Sequence, residues 1–211
     1  MYVEKMFKSF TSIAITVLLL TSLTAVASAG PNPINTISYH CEAVIKLFNN
    51  PIDDRNFDIQ VKIFGDAPDE VDPDENIVVE NSYAEVTVPA TAIEDLDTIL
   101  GWNSIVGSVN KFELISDNVP QVIDVANPSI AIAKTPIPKD GSDFVFRVPS
   151  SGDLIVGPFT SGSEGVINVS AGNIETEFLN GDGLGLLTLD VNCEPIGNPL
   201  IKTVTIKSNE N

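Results

Sequence analysis

The sequence has 211 residues, of which 43% are hydrophobic and 19% are charged. Asp and Glu number 29 against 11 Lys and Arg, which gives a formal net charge of -18. This charge argues against nucleic acids and anionic lipid headgroups as partners, because proteins bind both through clustered basic residues. The single His excludes multi-histidine metal and catalytic sites, and the hydrophobic content is too high for a disordered chain.

The first 29 residues have the order of a secretory signal peptide. Lys5 and Lys8 form a short basic region, an apolar run follows at 13–20, and Ala27-Ser28-Ala29 is a small-x-small cleavage site. A membrane anchor is the alternative, but the strongly apolar run is shorter than the roughly 20 residues that a bilayer requires. We therefore predict cleavage after Ala29, a secreted protein, and no membrane insertion after cleavage.

The remaining chain is long enough to bury one substantial core. We expect a flexible segment at 30–36, where two prolines occur, a single domain at 37–207, and a polar tail at 208–211. The tail has no apolar stretch of the kind that precedes a covalent anchor. Retention of the protein on the cell surface would therefore be non-covalent.

The two cysteines, Cys41 and Cys193, lie near opposite ends of the predicted domain. An even pair of cysteines in an exported protein usually forms a disulfide. A metal-thiolate pair and a redox pair are the alternatives, and both normally use a much shorter spacing. We predict a structural disulfide, which favours one domain over two in tandem because it joins the two ends.

Alternating apolar and polar residues predict β-strands through most of the chain. The clearest example runs from Phe57 to Ile63, where every second residue is apolar. Turn-forming pairs such as Asp140-Gly141 separate the strands. Further strands are predicted at 86–88, which follows the apolar segment 77–79, and at 104–114, 121–125, 129–133, 144–148, 165–171, 174–179, 186–193 and 200–207. Nine or ten short strands with frequent turns indicate an all-β sandwich.

One segment has the periodicity of a helix. Apolar residues at 93, 96 and 100 repeat at intervals of three and four. Thr91 and Glu94 match a capping box, and Gly101 suits the left-handed position that ends a helix. We predict one short helix over 91–100. Its simplest role is to close one end of the sandwich, and binding a partner is the alternative.

Several short motifs occur in a characteristic order: Tyr39-His40-Cys41, Asp66-Ala67-Pro68, Val88-Pro89-Ala90, Gly101 with 104–107, Thr135-Pro136-Ile137-Pro138 with Gly141 and Phe144, and Cys193. Together they resemble a family of secreted bacterial domains, largely actinobacterial, with two cysteines and no assigned function. The resemblance covers about 37–206. It implies an immunoglobulin-like antiparallel β-sandwich in an exported protein, and it implies no catalytic residues. This chain departs from the family pattern in an acidic loop, where the family often has small residues and Thr.

The acidic loop at 68–75 contains five carboxylates within eight residues. Hard cations such as calcium take several oxygen ligands, so Asp69, Asp72, Asp74 and Glu75 are candidate calcium ligands. The EF-hand pattern fails because Ile77 occupies the position of its required Gly. The alternative is a solvated loop that keeps a sheet edge soluble. Calcium is the one cofactor candidate that the sequence offers.

Trp102 directly follows Gly101 and is the candidate contact for a small ligand or glycan. A core position at one end of the sandwich is the alternative that we favour. Catalytic signals are thin: His40 lies beside Cys41, and the sequence contains no Gly-x-Ser-x-Gly element. We therefore predict that the protein is not an enzyme.

Two classes of function remain. The first is an exported, non-catalytic interaction or structural module that contacts an envelope or extracellular component. The alternative is a soluble secreted binding protein for a small ligand, a glycan or a calcium ion. An enzyme that uses carboxylates is a third class, which the sequence supports less, and the oligomeric state is not indicated.

Overall fold

The computed structural model describes residues 33–183 and 185–208. These residues form twelve strands and one helix: β1 Asn35–Leu47, β2 Asn50–Asp66, β3 Glu70–Val71, β4 Asn76–Val88, α1 Ala90–Leu100, β5 Ser104–Ser116, β6 Gln121–Asp124, β7 Ile130–Pro136, β8 Phe144–Val148, β9 Leu154–Thr160, β10 Val166–Asn180, β11 Leu187–Ile196 and β12 Leu200–Ile206. The predicted all-β sandwich with one short helix is confirmed, with twelve strands in place of nine or ten. The predicted signal peptide lies outside the described residues, as do the start of the flexible segment and most of the polar tail.

Eight strands follow one another in a continuous antiparallel order, β8-β4-β2-β1-β11-β10-β5-β7. β12 pairs with the first half of β10, β9 with the first half of β4, and β6 with the end of β5. The two-residue β3 pairs with β12 in parallel. The sandwich is therefore one curved network that folds over a shared core.

Two groups of paired strands, which we call the walls of the sandwich, enclose this core. On β2, β4 and β8, one row of neighbours in register is formed by Val61, Val86 and Phe146. On β11, β10 and β5, a second row is formed by Val191, Thr176 and Val109. Side chains alternate between the two faces of a strand, so each wall turns every second residue inward. Both rows line the same interior cavity.

At Gly107, β5 comes unusually close to β10. A Cβ atom added there would lie 2.2 Å from the carbonyl oxygen of Glu177 and 3.0 Å from the ring of Phe178. The first distance is too short for any residue larger than glycine, and the second would require the Phe178 ring to shift slightly. Gly107 therefore allows this wall to pack at its observed spacing.

The two ends of the curved sheet meet at β7 and β8, which lie beside each other. Within the described residues, no backbone ladder joins these two strands. Side chains bridge them instead: the Ala133 amide donates to Ser150 Oγ at 2.8 Å. Further along, the Thr160 amide on β9 donates to Gln121 Oε1 on β6 at 2.8 Å. The sandwich is thus closed along this side by individual hydrogen bonds.

The helix lies close to its predicted position and buries the predicted face, with Ala92, Ile93 and Leu96 in the core. Gly101 ends it in the left-handed conformation, with φ of 59°, as predicted. The predicted capping box is wrong. Pro89 is the N-cap residue and gives no side-chain cap.

The start of the helix is capped from a distant part of the chain. Asp143, just before β8, accepts a hydrogen bond from the Ala90 amide through Oδ1 at 3.0 Å. A carboxylate at this position satisfies one of the free amide groups of the first turn and interacts favourably with the helix dipole. This long-range contact replaces the local cap that the sequence indicated.

Several strand predictions differ from the structure. The segments predicted at 165–171 and 174–179 form one strand, β10, which is interrupted by a bulge at Gly172-Asn173. β9 was not predicted, because Gly157-Pro158 interrupts its apolar pattern. Proline is tolerated on an edge strand, and β9 pairs with β4 alone.

Asp182 fixes the turn between β10 and β11 against two other strands. Its carboxylate accepts a hydrogen bond from Ser104 Oγ on β5 at 2.6 Å and another from the Lys134 ammonium on β7. The Lys134 hydrogen bond, followed by that of Ser104, holds the pKa of Asp182 below its ordinary value of 3.8. The turn is therefore held in place by an ionised carboxylate.

Candidate functional site

The predicted disulfide between Cys41 and Cys193 is confirmed. The two residues are directly opposite each other on the neighbouring strands β1 and β11, with Cα atoms 4.0 Å apart. Both side chains are buried in the core. The bond therefore closes nearly the whole domain into one covalent loop, and its sulfur atoms are shielded from reductants in solution.

The acidic loop is held by lysines from the last strand and the residues after it. Lys202 on β12 contacts the carboxylate of Asp69, and its hydrogen bond holds the Asp69 pKa below its ordinary value. Lys207 donates to Asp72 Oδ1 at 2.9 Å, and this contact raises the Lys207 pKa. Two of the four candidate calcium ligands are therefore already neutralised by ammonium groups.

The other two candidate calcium ligands serve the turn itself. Glu75 accepts a hydrogen bond from the Asp72 amide through Oε2 at 2.9 Å. Asp74 has a φ of 59°, in the left-handed region that Asp tolerates well. Across 33–183 and 185–208, no three His, Cys, Asp or Glu side chains are grouped as metal ligands. The calcium site stays a prediction, and the observed contacts are those of a salt-bridged turn.

Trp102 is 3% exposed and belongs to the hydrophobic core. An exposed ring for glycan stacking is therefore not present at this position. The residue instead lines the interior cavity beside the end of the helix. Lys139 holds this region, since it donates to the Trp102 carbonyl oxygen at 2.9 Å and also contacts Asp97 on the helix. A role for Trp102 in ligand contact stays a prediction and would have to operate inside the core.

The interior cavity has a volume of about 170 Å³ and lies between the two walls of the sandwich. Its lining is almost wholly apolar. Helix α1 contributes Ile93, Leu96 and Leu100, and the loop after it contributes Trp102. The sequence did not predict this cavity, because its existence depends on how the strands curve around each other.

A set of exposed apolar residues, which the sequence did not predict, lies around two turns of the sheet. We call it the apolar tip and define it by Leu47, Phe48, Ile52 and Leu186, all of which are exposed. The first three belong to the hairpin of β1 and β2, and Leu186 precedes β11. The Phe48 amide donates to the Leu186 carbonyl oxygen at 3.1 Å. Two separate turns are thereby joined into one surface.

Phe48 occupies a backbone conformation that disfavours it. It forms the hairpin turn together with Asn49, and the two residues have φ of 48° and 65°. A two-residue turn of this kind strongly favours Asn and Gly, whereas a bulky side chain at positive φ is an outlier. Its ring is 66% exposed, so burial compensates for little of this strain.

Within the part of the chain that the structure describes, no helix has both the length and the apolar character needed to cross a membrane.

The family of unknown function DUF6801 matches residues 38–199, and the chain belongs to this family. No curated protein matches the chain. Among solved structures, the chain is similar to a protein of Corynebacterium diphtheriae described as a "Putative membrane anchored protein", with 10% sequence identity and a TM-score of 0.42. The similarity covers 82% of this chain and 37% of that protein, so the chain spans well under half the length of its structural neighbour.

Proposed function

We propose that this member of the DUF6801 family is an exported, non-catalytic interaction module of the cell surface or extracellular space. The disulfide supports an extracytoplasmic location, because disulfides persist in oxidising compartments and are rare in the cytosol. It joins two neighbouring strands in the core, where it can stabilise a secreted domain. The predicted signal peptide leads to the same location.

The apolar tip is the observation that carries the proposed interaction. Four exposed apolar side chains lie on two turns that are joined by a backbone hydrogen bond, and exposed apolar clusters mark sites of contact. Phe48 adds a further argument, because its left-handed backbone conformation destabilises the turn. A strained residue that contributes little to the core indicates a requirement outside folding.

We infer that the apolar tip binds a protein component of the envelope or extracellular space. The chain carries a net charge of -18, which opposes close approach to anionic phospholipids. Near the tip, Asp53 and Asp54 follow Ile52 directly, but Arg55 pairs with Asp53 and Lys46 pairs with Asp190, so it is the charge of the whole chain that opposes such a membrane. An uncharged or basic protein surface fits this combination better than a membrane does.

Fractionation of cells that produce the tagged full-length chain tests this proposal. We expect wild-type protein in the wall or surface fraction and the Phe48→Asn variant in the medium. The control is Ile155→Asn, which removes an apolar side chain that is 75% exposed on β9 and leaves the tip unchanged. Equal retention of all three proteins would overturn the role of the tip, and recovery in the membrane fraction would indicate lipid in place of protein.

A soluble secreted binding protein for a small ligand is the second candidate function. The interior cavity favours it, because ligand sites are typically concave, largely apolar and pre-formed. Recovery of wild-type protein as a free monomer in the medium would support this candidate over the surface module. Turnover of ester, glycosidic or peptide substrates by the purified protein would contradict the non-catalytic character of both.

A further inference from the structure

We propose that the interior cavity binds an uncharged hydrocarbon group, either as a small free molecule or as the end of an acyl chain. The inference rests on the cavity alone and does not depend on the apolar tip. Three observations carry it: the size of the cavity, the chemistry of its lining, and the elements that enclose it.

The size fits a compact apolar group. The cavity volume is about 170 Å³, and an apolar cavity of roughly 150 Å³ is sufficient to take up benzene or xenon. Protein interiors are otherwise close-packed, with few voids larger than a water molecule. A hydrocarbon in this space would regain dispersion contacts that the lining side chains lack.

The lining selects against polar ligands. Nearly all of its surface is apolar, so a sugar or an ion would lose its hydration without gaining hydrogen bonds. Among the described residues, the one buried side-chain polar atom without a partner is the Tyr39 hydroxyl, and Tyr39 does not line the cavity. Burial raises the pKa of that hydroxyl, which therefore stays neutral and adds no charge near the site.

The register identifies which side chains limit the space. Ala84 on β4 lies between Ile63 on β2 and Val148 on β8 in register, and all three line the cavity. Ala84 is the smallest of this row, so a larger residue here would project into the cavity. Val156 on β9 also lines it, and its truncation would enlarge the space.

The helix is one of the elements that enclose the cavity. Helix α1 connects β4 to β5 and lines the cavity through one face. Its end is held through Asp97 by Lys139, from the segment between β7 and β8. The neighbouring strands β7 and β8 share no ladder. Entry of a hydrocarbon beside the helix, or between β7 and β8, would therefore break no strand ladder.

Trp102 gives a direct readout of occupancy, because it is the single Trp of the chain and lines the cavity. Bromobenzene and 10-bromodecanoate are suitable probes, since bromine quenches tryptophan fluorescence at close range. We expect saturable quenching that benzene reverses by competition. Quenching by bromobenzene alone identifies a small free hydrocarbon, and stronger quenching by 10-bromodecanoate identifies an acyl chain. Absence of saturable quenching by both probes would overturn the proposal.

Two substitutions test whether the probes bind in this cavity. Ala84→Leu adds three carbon atoms to the lining and should weaken binding by at least about tenfold. Its control is Ala131→Leu on the exposed face of β7, which should bind like the wild type. Val156→Ala should strengthen the binding of the larger probe, and it keeps the test valid if Ala84→Leu does not fold. Equal affinities in all four proteins would contradict the assignment.

Discussion

Removal of the disulfide should cost the domain a large part of its stability. Cys41 and Cys193 are separated by 152 residues in the sequence. For a closed loop of that length, the loss of chain entropy in the unfolded state stabilises the fold by about 5 kcal/mol as an upper value. Native domains typically have a free energy of unfolding of only about 5–15 kcal/mol. The Cys41→Ala/Cys193→Ala double variant should therefore be close to unfolding at 37 °C.

Urea unfolding followed by Trp102 fluorescence measures this difference. We expect the free energy of unfolding to fall by about 3–5 kcal/mol, which corresponds to a decrease in Tm of roughly 6–20 °C for a domain of this size. Wild-type protein in excess reductant is the control, because it lacks the cross-link but keeps both cysteine side chains. If the free energy of unfolding falls by less than about 1 kcal/mol in both samples, the disulfide is not a major source of stability.

Three further predictions concern single positions. Gly107→Ala should lower the free energy of unfolding by about 2–3 kcal/mol, because the new Cβ would collide with the Glu177 carbonyl oxygen; an unchanged urea midpoint would contradict the close packing of β5 and β10. Asp182→Asn should lower Tm at neutral pH, because the ionised carboxylate holds Lys134. The Asp182 pKa is lowered in the folded state, so the stabilisation by Asp182 is present above pH 3.8 and is lost as pH falls through the lowered value. The difference in Tm between wild type and variant should therefore disappear in acid. A constant difference across the pH range would count against a stabilising role of the ionised carboxylate. Phe48→Asn should raise the free energy of unfolding by about 1 kcal/mol, because Asn tolerates the left-handed turn; a destabilised variant would show that the ring supports the fold.

The sequence was sufficient to predict most of the strands, the helix and the disulfide. Alternation at Phe57 to Ile63 correctly identified the centre of β2, and the apolar spacing around Leu96 identified the helix. Both signals are local, because they depend on which side of an element faces the core. The cysteine pair was equally informative, because its pairing offers no alternative within a chain of two cysteines.

The candidate sites could not be predicted, because each depends on contacts between distant segments. The acidic loop was visible as charge, but Lys202 lies 133 residues from its partner Asp69. The apolar tip requires that the turn at Phe48 meets the segment before β11. Trp102 was assigned correctly to the core, whereas the cavity beside it follows from the curvature of the whole sheet.

An intact-mass measurement tests whether the chain is exported and closed by its disulfide. The sample is the protein recovered outside the cells, after free thiols have been alkylated without reductant. The chain should be produced at full length in a bacterial host that exports it through its own leader. The expected mass is that of a chain that begins at Gly30, carries no alkyl group and is two hydrogens lighter than the reduced chain. Protein found only inside the cells, with residues 1–29 retained and both cysteines alkylated, would contradict an exported, disulfide-closed module.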